Sequence, residues 1–260
     1  MRQKLFPIFA LLLMAATGAV AQTYNVTVKS GTVDAANWTA TPNPAAEGEN
    51  VTIKYDGNRK VTPVNLGWVG DDIYTGTNTF YQWGRKDPFP GTGTVTVVSS
   101  NTATIADNIK NPATFYNVDS KPSNTTYRNM WDAKQTGTDN IATATVKTVY
   151  DPSPAGFCVP TGNLYYYMKN GSDVSFGWDG TNNGRNLTSL TPNVFFPASG
   201  YRNGGDGSLN RVGSYGYYWA ASAYGSSTSS ARTLYFNSGS WYWNGNNRSD
   251  RFPVRAVAEE

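Results

Sequence analysis

The 260-residue sequence contains no histidine and a single cysteine, Cys158. Without histidine there is no Ser/His/Asp or Cys/His nucleophilic system and no imidazole metal ligand. The side chain that most often moves protons near neutral pH is missing too. One cysteine cannot close an intramolecular disulfide or build a structural zinc site. Flanked by Phe157 and Val159, Cys158 reads as a buried apolar filler rather than a nucleophile. Charge is also scarce, at 15% of residues with a formal net charge of +3, and no basic patch stands out. That balance argues against electrostatic binding to nucleic acid. Apolar runs are short: only Leu5 to Met14, behind Arg2 and Lys4, is sustained. Nothing later approaches the ~20 apolar residues of a membrane helix.

The basic start, the apolar run and Ala19-Val20-Ala21 predict a secretory signal over residues 1–21, cleaved before Gln22. Removing it takes away Arg2 and Lys4, so 21 basic residues become 19 against 18 acidic ones. The expectation is an exported chain: secreted, periplasmic or on the cell surface. Cys158 lies far from the cleavage point, so a lipid-modified cysteine at residue 22 is not expected.

Carboxylates are the remaining route to catalysis. Asp71 and Asp72 are adjacent, and neighbouring side chains in extended chain point to opposite sides. Two loop carboxylates meeting in space, as glycoside hydrolysis requires, stay open as an alternative. No glycine-rich phosphate loop occurs; glycines sit in turn dipeptides such as Asn170-Gly171, Asp179-Gly180 and Asp206-Gly207. The reading is a protein without catalysis, cofactor or metal.

What the chain has in abundance is aromatic residues, 14%, together with 26 glycines. This is not the composition of a disordered polymer. Residues 22–62 carry alternating runs, Tyr24 to Val28 and Asn50 to Tyr55, around the turn-rich Thr41-Pro42-Asn43-Pro44. They predict a small all-β module. From residue 63 the texture is irregular, with strand candidates at Thr94–Val98, Ala142–Val149, Thr233–Phe236, Ser240–Trp243 and Phe252–Val257. The best helix signal is Asn124–Lys134.

Several motifs then stand in order: Tyr81-Gln82-Trp83-Gly84-Arg85-Lys86-Asp87-Pro88-Phe89, Tyr150-Asp151-Pro152-Ser153-Pro154-Ala155-Gly156-Phe157, and Phe196-Pro197-Ala198-Ser199-Gly200-Tyr201-Arg202. Gly213-Ser214-Tyr215-Gly216-Tyr217-Tyr218-Trp219, Leu234-Tyr235-Phe236-Asn237 and Phe252-Pro253-Val254-Arg255 follow. The series resembles the C-type-lectin-fold domains of exported Bacteroidetes proteins, similar in fold to formylglycine-generating-enzyme-like domains. Within that group it resembles the variable proteins of diversity-generating retroelements, in which a mutagenic reverse transcriptase rewrites a carboxy-terminal segment at adenines.

The resemblance implies an α+β chain: a C-type-lectin fold over residues 63–260, with small antiparallel sheets, long irregular loops and few helices, preceded by the β-module. It also implies a variable region at about 222–250. Where the family often has cysteines, this chain has Ser153 and Ala256. The paired cysteines of formylglycine-generating enzymes are absent, so that activity is not expected. The calcium-lectin signatures are absent as well, which argues against calcium-dependent sugar binding; other oxygen ligands for Ca²⁺ remain open.

The residues support a binding surface independently. From Tyr215 to Trp243, 29 positions hold ten aromatics interleaved with Ser, Gly, Asn and Thr, the composition of antibody-like paratopes. In a strand, Trp241 and Trp243 share one face and Tyr242 takes the other. Gly213–Trp219, Leu234 and Phe236 read as core; Tyr224, Tyr242 and the loop Asn244-Gly245-Asn246-Asn247 read as ligand-facing, with an ordinary turn as the rival for that loop. Adenine randomisation of AAC or AAT codons never yields Lys, Glu, Gln, Met or Trp, and Ser222–Asp250 contains none of the first four. On the family pattern the variable, ligand-contacting places are Ala223, Tyr224, Ser227, Thr228, Ser230, Thr233, Ser238, Ser240, Tyr242, Asn244, Asn246, Asn247 and Asp250. The two tryptophans fall to the scaffold. The implied partner is a protein or glycan on another cell, phage or host surface. A fixed carbohydrate-binding or adhesin module of the same fold is the alternative.

Overall fold

The computed structural model describes residues 38–41, 52–55, 61–62, 64–69, 74, 76–99, 103–117, 129–135, 145–171, 174–188, 194–225, 227 and 229–259. The expected signal, the strand expected at Tyr24–Val28, the pair Asp71-Asp72 and Thr228 lie outside these residues.

Within them the chain is built from short strands, almost all paired antiparallel, and two helices. Strands β1 (Trp38–Thr41) and β2 (Thr52–Tyr55) pair from Trp38↔Tyr55 to Thr41↔Thr52. Strands β3 (Phe80–Gln82) and β4 (Pro88–Phe89) pair around the Trp83–Asp87 turn. Strand β5 (Val97–Ser99) runs parallel to β6 (Phe115–Asn117). Between them lies helix α1 (Ile105–Lys110), started by a capping box in which Thr104 and Asp107 exchange hydrogen bonds. Strand β7 (Phe157–Cys158) leads into helix α2 (Gly162–Asn170). A meander follows: β8 (Phe176–Asp179), β9 (Gly184–Leu187) and β10 (Val194–Pro197). Then come β11 (Tyr201–Arg202), β12 (Leu209–Asn210), β13 (Gly216–Ala223), β14 (Ser230–Phe236), β15 (Trp241–Asn247), β16 (Arg251–Phe252) and β17 (Val257–Ala258).

Several expectations shift. The run Phe252–Val257 divides into β16 and β17, because Pro253 has no N–H to continue a ladder. Of the expected helix Asn124–Lys134, the described part, 129–134, forms turns. There Asp132 accepts hydrogen bonds from the backbone N–H groups of Lys134 (3.1 Å) and Val146 (2.9 Å), offering the backbone an alternative to helix. Of the expected strand Ala142–Val149, the described part makes one bridge, Lys147 to Asp132.

The motif segments meet in one sheet of order β12-β11-β16-β3-β4, where Phe252 pairs with Tyr81 and Arg251 with both Gln82 and Arg202. The sheet β13-β14-β15 carries a core on each side. One side holds Tyr81, Trp83, Trp131, Trp219, Phe252 and Val254. The other holds Tyr165 and Met168 of α2 with Phe176, Phe196, Tyr218, Leu234 and Phe236. The outer edge of β13 is satisfied by loops, Trp219 N–H donating to Pro253 C=O (3.1 Å) and Ala221 N–H to Pro160 C=O (2.7 Å). Tryptophan N–H groups tie the layers: Trp219 to Tyr81 C=O at 2.8 Å and Trp83 to Ala220 C=O at 2.9 Å.

Irregular loops leave carbonyls without ladder partners, and buried arginines supply the missing donors. Arg202, fully buried, donates to the carbonyls of Pro90, Gly207, Thr92 and Gly93 at 2.8–2.9 Å. Arg255 donates to Asn65 Oδ1 (2.7 Å), Thr62 C=O (2.9 Å) and Phe195 C=O (2.6 Å), with its guanidinium over the Phe196 ring. Arg185 holds the carbonyls of Phe176, Asn237 and Ser238. Arg251 lies 3.5 Å over the Phe115 ring and donates to Tyr116 C=O and Ser249 C=O. These side chains cross-brace loops distant in sequence, so the framework under β13-β14-β15 is rigid without a disulfide.

Candidate functional site

The candidate site grows from the β14–β15 hairpin. Its turn is closed by Asn237, whose Oδ1 accepts from the N–H groups of Gly239 and Ser240, both at 2.9 Å. This is an Asx turn, the local preference of asparagine before a small-residue tip. Arg185 clamps the turn from below through the Asn237 and Ser238 carbonyls. With the turn set, register follows: Phe236↔Trp241, Tyr235↔Tyr242, Leu234↔Trp243, Thr233↔Asn244 and Ala231↔Asn246.

Period two then sorts β15. Trp241 and Trp243 face α2, packing against the Phe176 and Tyr166 rings respectively. Tyr242, Asn244 and Asn246 take the other face, and Tyr242 is 47% exposed. On that face the aromatic rings align. Tyr235 lies 6.0 Å from Tyr242 at 25°, and Tyr215 lies 5.7 Å from Tyr235 at 28°. Tyr217 and Tyr201 pack at the inner side of this row, 5.0 Å from Tyr235 and 5.1 Å from Tyr217 respectively. Both ends of the row meet cations. Arg211 stands 4.5 Å over the Tyr215 ring, and Lys169 of α2 reaches the strand edge, 5.0 Å from the Trp241 ring centroid and 5.5 Å from that of Tyr242.

Arg211 is held in place. Its φ of +60° is the left-handed conformation that non-glycine residues seldom adopt. Its carbonyl accepts three hydrogen bonds, from Ser214 N–H, Tyr215 N–H and Ser214 Oγ, at 3.0–3.1 Å. Its guanidinium donates to Tyr217 Oη at 3.1 Å. Burial pushes the Tyr217 phenol up to about 12, the nearby Arg211 charge opposing it, so the hydroxyl keeps its proton at neutral pH. Burial also raises Tyr235. The nearby Tyr217 raises Arg211 above its ordinary value in turn.

The residues expected to contact ligand do not share one face. Tyr242, Asn244 and Asn246 do; Asn246 Nδ2 donates to Thr233 Oγ1 at 2.5 Å. Ala223 and Thr233 are sealed in the interior. Tyr224 lies on the opposite side: Arg232 is sandwiched between its ring (4.4 Å) and Trp243 (3.6 Å), and the ring rests on Gly245. Ser238 and Ser240 sit at the hairpin tip, one strand length from Asn247, Ser230 and Ser227 at the far end, about 20 Å at the usual rise per residue. Ser227 bonds to Ser229 and Ser230, a local turn. Asp250 ties down a loop by accepting from Gly204 N–H at 2.9 Å, and burial raises its carboxyl above the usual range.

Arg211, Lys169, Tyr201, Tyr215, Tyr217 and Tyr235 were not expected at the site. For Tyr235 a signal exists: it stands as far before the Asn237–Ser240 turn as Tyr242 stands after it, so a hairpin there must make them partners. No local signal places Lys169 or Arg211 at the ends of the row.

Other features are plainly structural. The Cys158 thiol is buried and pushed up to about 12, by burial first and then by the Asp151 charge. Asp151 accepts from Ser153 N–H (2.7 Å) and Val159 N–H (2.9 Å), and Asp179 closes the Thr181–Asn182 turn. Among the described residues no group of three His, Cys, Asp or Glu side chains is placed to hold a metal ion, and no helix is long and apolar enough to cross a membrane. An apolar cavity of about 260 Å³ lies elsewhere, lined by Trp83, Arg85, Ile109, Met130 and Tyr150 among others.

A family model described as a domain of unknown function (DUF8237) matches residues 166–257. That span contains α2 from Tyr166 onward and every ring and cation of the row. No curated protein and no solved structure matches the chain.

Proposed function

We propose that this is an exported, non-catalytic recognition protein that binds a partner through the Tyr215–Tyr235–Tyr242 face of a C-type-lectin-like scaffold. The observation that carries the reading is the division of labour along β15. Trp241 and Trp243 lock into the α2 side, while Tyr242, Asn244 and Asn246 point the other way from a braced sheet. Partly exposed rings give apolar contact at low entropic cost, and asparagine amides give adaptable hydrogen bonds. The carboxylates described above serve as loop ties, which favours binding over acid–base chemistry. Replacing Tyr242 and Asn244 together by alanine should abolish capture of the partner from a cell-surface extract while lowering the unfolding temperature by no more than about 4 °C. Capture that survives the double substitution sinks the reading.

Retroelement-driven variation is proposed for the outward positions Tyr242, Asn244, Asn246, Ser238 and Ser240. A near-copy of the coding repeat in the genome, differing opposite adenines, tests it; a genome with neither such a copy nor a nearby reverse transcriptase defeats it. One observation favours the fixed carbohydrate-binding alternative: Ala223 and Thr233 are sealed and Tyr224 is clamped on Arg232, so varying them disturbs packing rather than contact.

A further inference from the structure

Arg211, Tyr215, Tyr235 and Tyr242 follow one another along the face, and Lys169 stands at the strand edge beside Tyr242 and Trp241. The outer face of Tyr215 lies under the Arg211 guanidinium and the inner faces lie against neighbouring rings, while Tyr242 stays 47% exposed beside the Lys169 ammonium. What this face turns to solvent most is Tyr242 and the neighbouring Asn244, while the Tyr217 hydroxyl is taken up by Arg211. Aromatic edges carry the positive part of the ring quadrupole, and hydroxyls donate. Among the described residues neither Arg211 nor Lys169 has a carboxylate within salt-bridge distance. The exposed Tyr242 and Asn244 thus share a face with two cations that have no carboxylate partner among the described residues.

We infer that the ligand of this face is a carboxylate-bearing carbohydrate, a uronic-acid oligosaccharide, lying across Tyr242 and Asn244 with its carboxylates toward Arg211 and Lys169. The inference rests on the recognition face proposed above and narrows it.

Other classes fit less well. Neutral sugars could stack on Tyr242 but would leave both flanking cations unanswered. Nucleic acid needs many more cations. Ring separations of 5.7 and 6.0 Å make the row about 12 Å long. A few sugar units match that length. Their hydroxyls match the Tyr242 phenol and the Asn244 amide, and a carboxylate matches the planar fork of an arginine already oriented by Tyr217.

The test is titration calorimetry on the full chain with tetragalacturonate and with its carboxyl-reduced, neutral counterpart. Tetragalacturonate should bind, and the reduced sugar should bind about tenfold more weakly or worse. Raising NaCl from about 50 to about 500 mM should weaken the acidic sugar by a similar factor, since exposed charges are screened. R211N, chosen because asparagine tolerates the left-handed backbone, and K169Q, on an exposed helical position, should each cost about tenfold. Equal affinity for the two sugars, or affinity untouched by both substitutions, overturns the inference. If Y242A/N244A removes binding of a neutral sugar or a protein while tetragalacturonate never binds, the recognition face stands and the acidic ligand falls. If tetragalacturonate binds but ignores R211N, K169Q and Y242A/N244A alike, both fall.

Discussion

Tyr235 and Tyr242 stand directly opposite each other across the β14–β15 pair, ring centroids 6.0 Å apart and planes inclined by 25°. One is half-buried against Tyr217 and the other is 47% exposed, so this pair marks where the core ends and the exposed face begins. Tyr242→Ala should therefore lose only cross-strand contact, about 1 kcal/mol or less. Trp219→Ala, a fully buried ring stacked at 4.2 Å on Phe252, should cost about 3–5 kcal/mol. Urea unfolding of both variants checks the contrast; equal losses would mean that Tyr242 is part of the core.

Gly245 is required by Tyr224. A Cβ at residue 245 would lie 2.6 Å from the Tyr224 ring. Gly245→Ala should destabilise by about 1–3 kcal/mol through overpacking, and Tyr224→Ala in the same chain should recover much of the loss. A double-mutant cycle with no coupling would place Tyr224 elsewhere.

Arg255 braces three acceptors from two distant segments. Arg255→Met keeps the bulk but leaves Thr62 and Phe195 carbonyls without their donor, at about 1–3 kcal/mol for each buried group. Arg255→Lys should rescue little, because one ammonium cannot span the three directions of the fork. Thermal denaturation of the pair measures this; full rescue by lysine would show that charge alone matters.

The Cys158 thiol is held near 12, above its usual value of 9.0. Since the folded value lies above the unfolded one, its contribution to stability is complete below about pH 9 and is lost as pH rises through the folded value. Native protein should resist iodoacetamide at pH 8.5 and react at once in denaturant. Rapid alkylation of the folded chain would show that Cys158 is accessible.

Much of this was legible in the residues. Alternation along Trp241-Tyr242-Trp243 separates core from surface, because side chains in a strand point alternately whatever lies around them. The aromatic richness of the carboxy-terminal segment and the inertness of Cys158 follow from composition and neighbours. The strand limits at Pro253 were present in the sequence but were read through, and the expected helix at 124–134 gave way, in its described part, to the competing hydrogen bonds of Asp132.

Other features no local pattern contains. Ala223 and Tyr224 are neighbours, yet one is sealed and the other clamps Arg232, because a bulge in β13 sets three residues between Trp219 and Ala223 against one, Arg232, of β14. Lys169 and Arg211 come from a helix and a turn far apart in sequence, and only the packing of α2 and the loop after β12 onto the sheet sets them at opposite ends of one row of rings. Periodicity and composition act over a few residues and determined which side chains alternate. Which distant side chains become neighbours was decided by the tertiary structure, because buried arginines and tryptophans bond loops whose sequence separation says nothing of their distance in space.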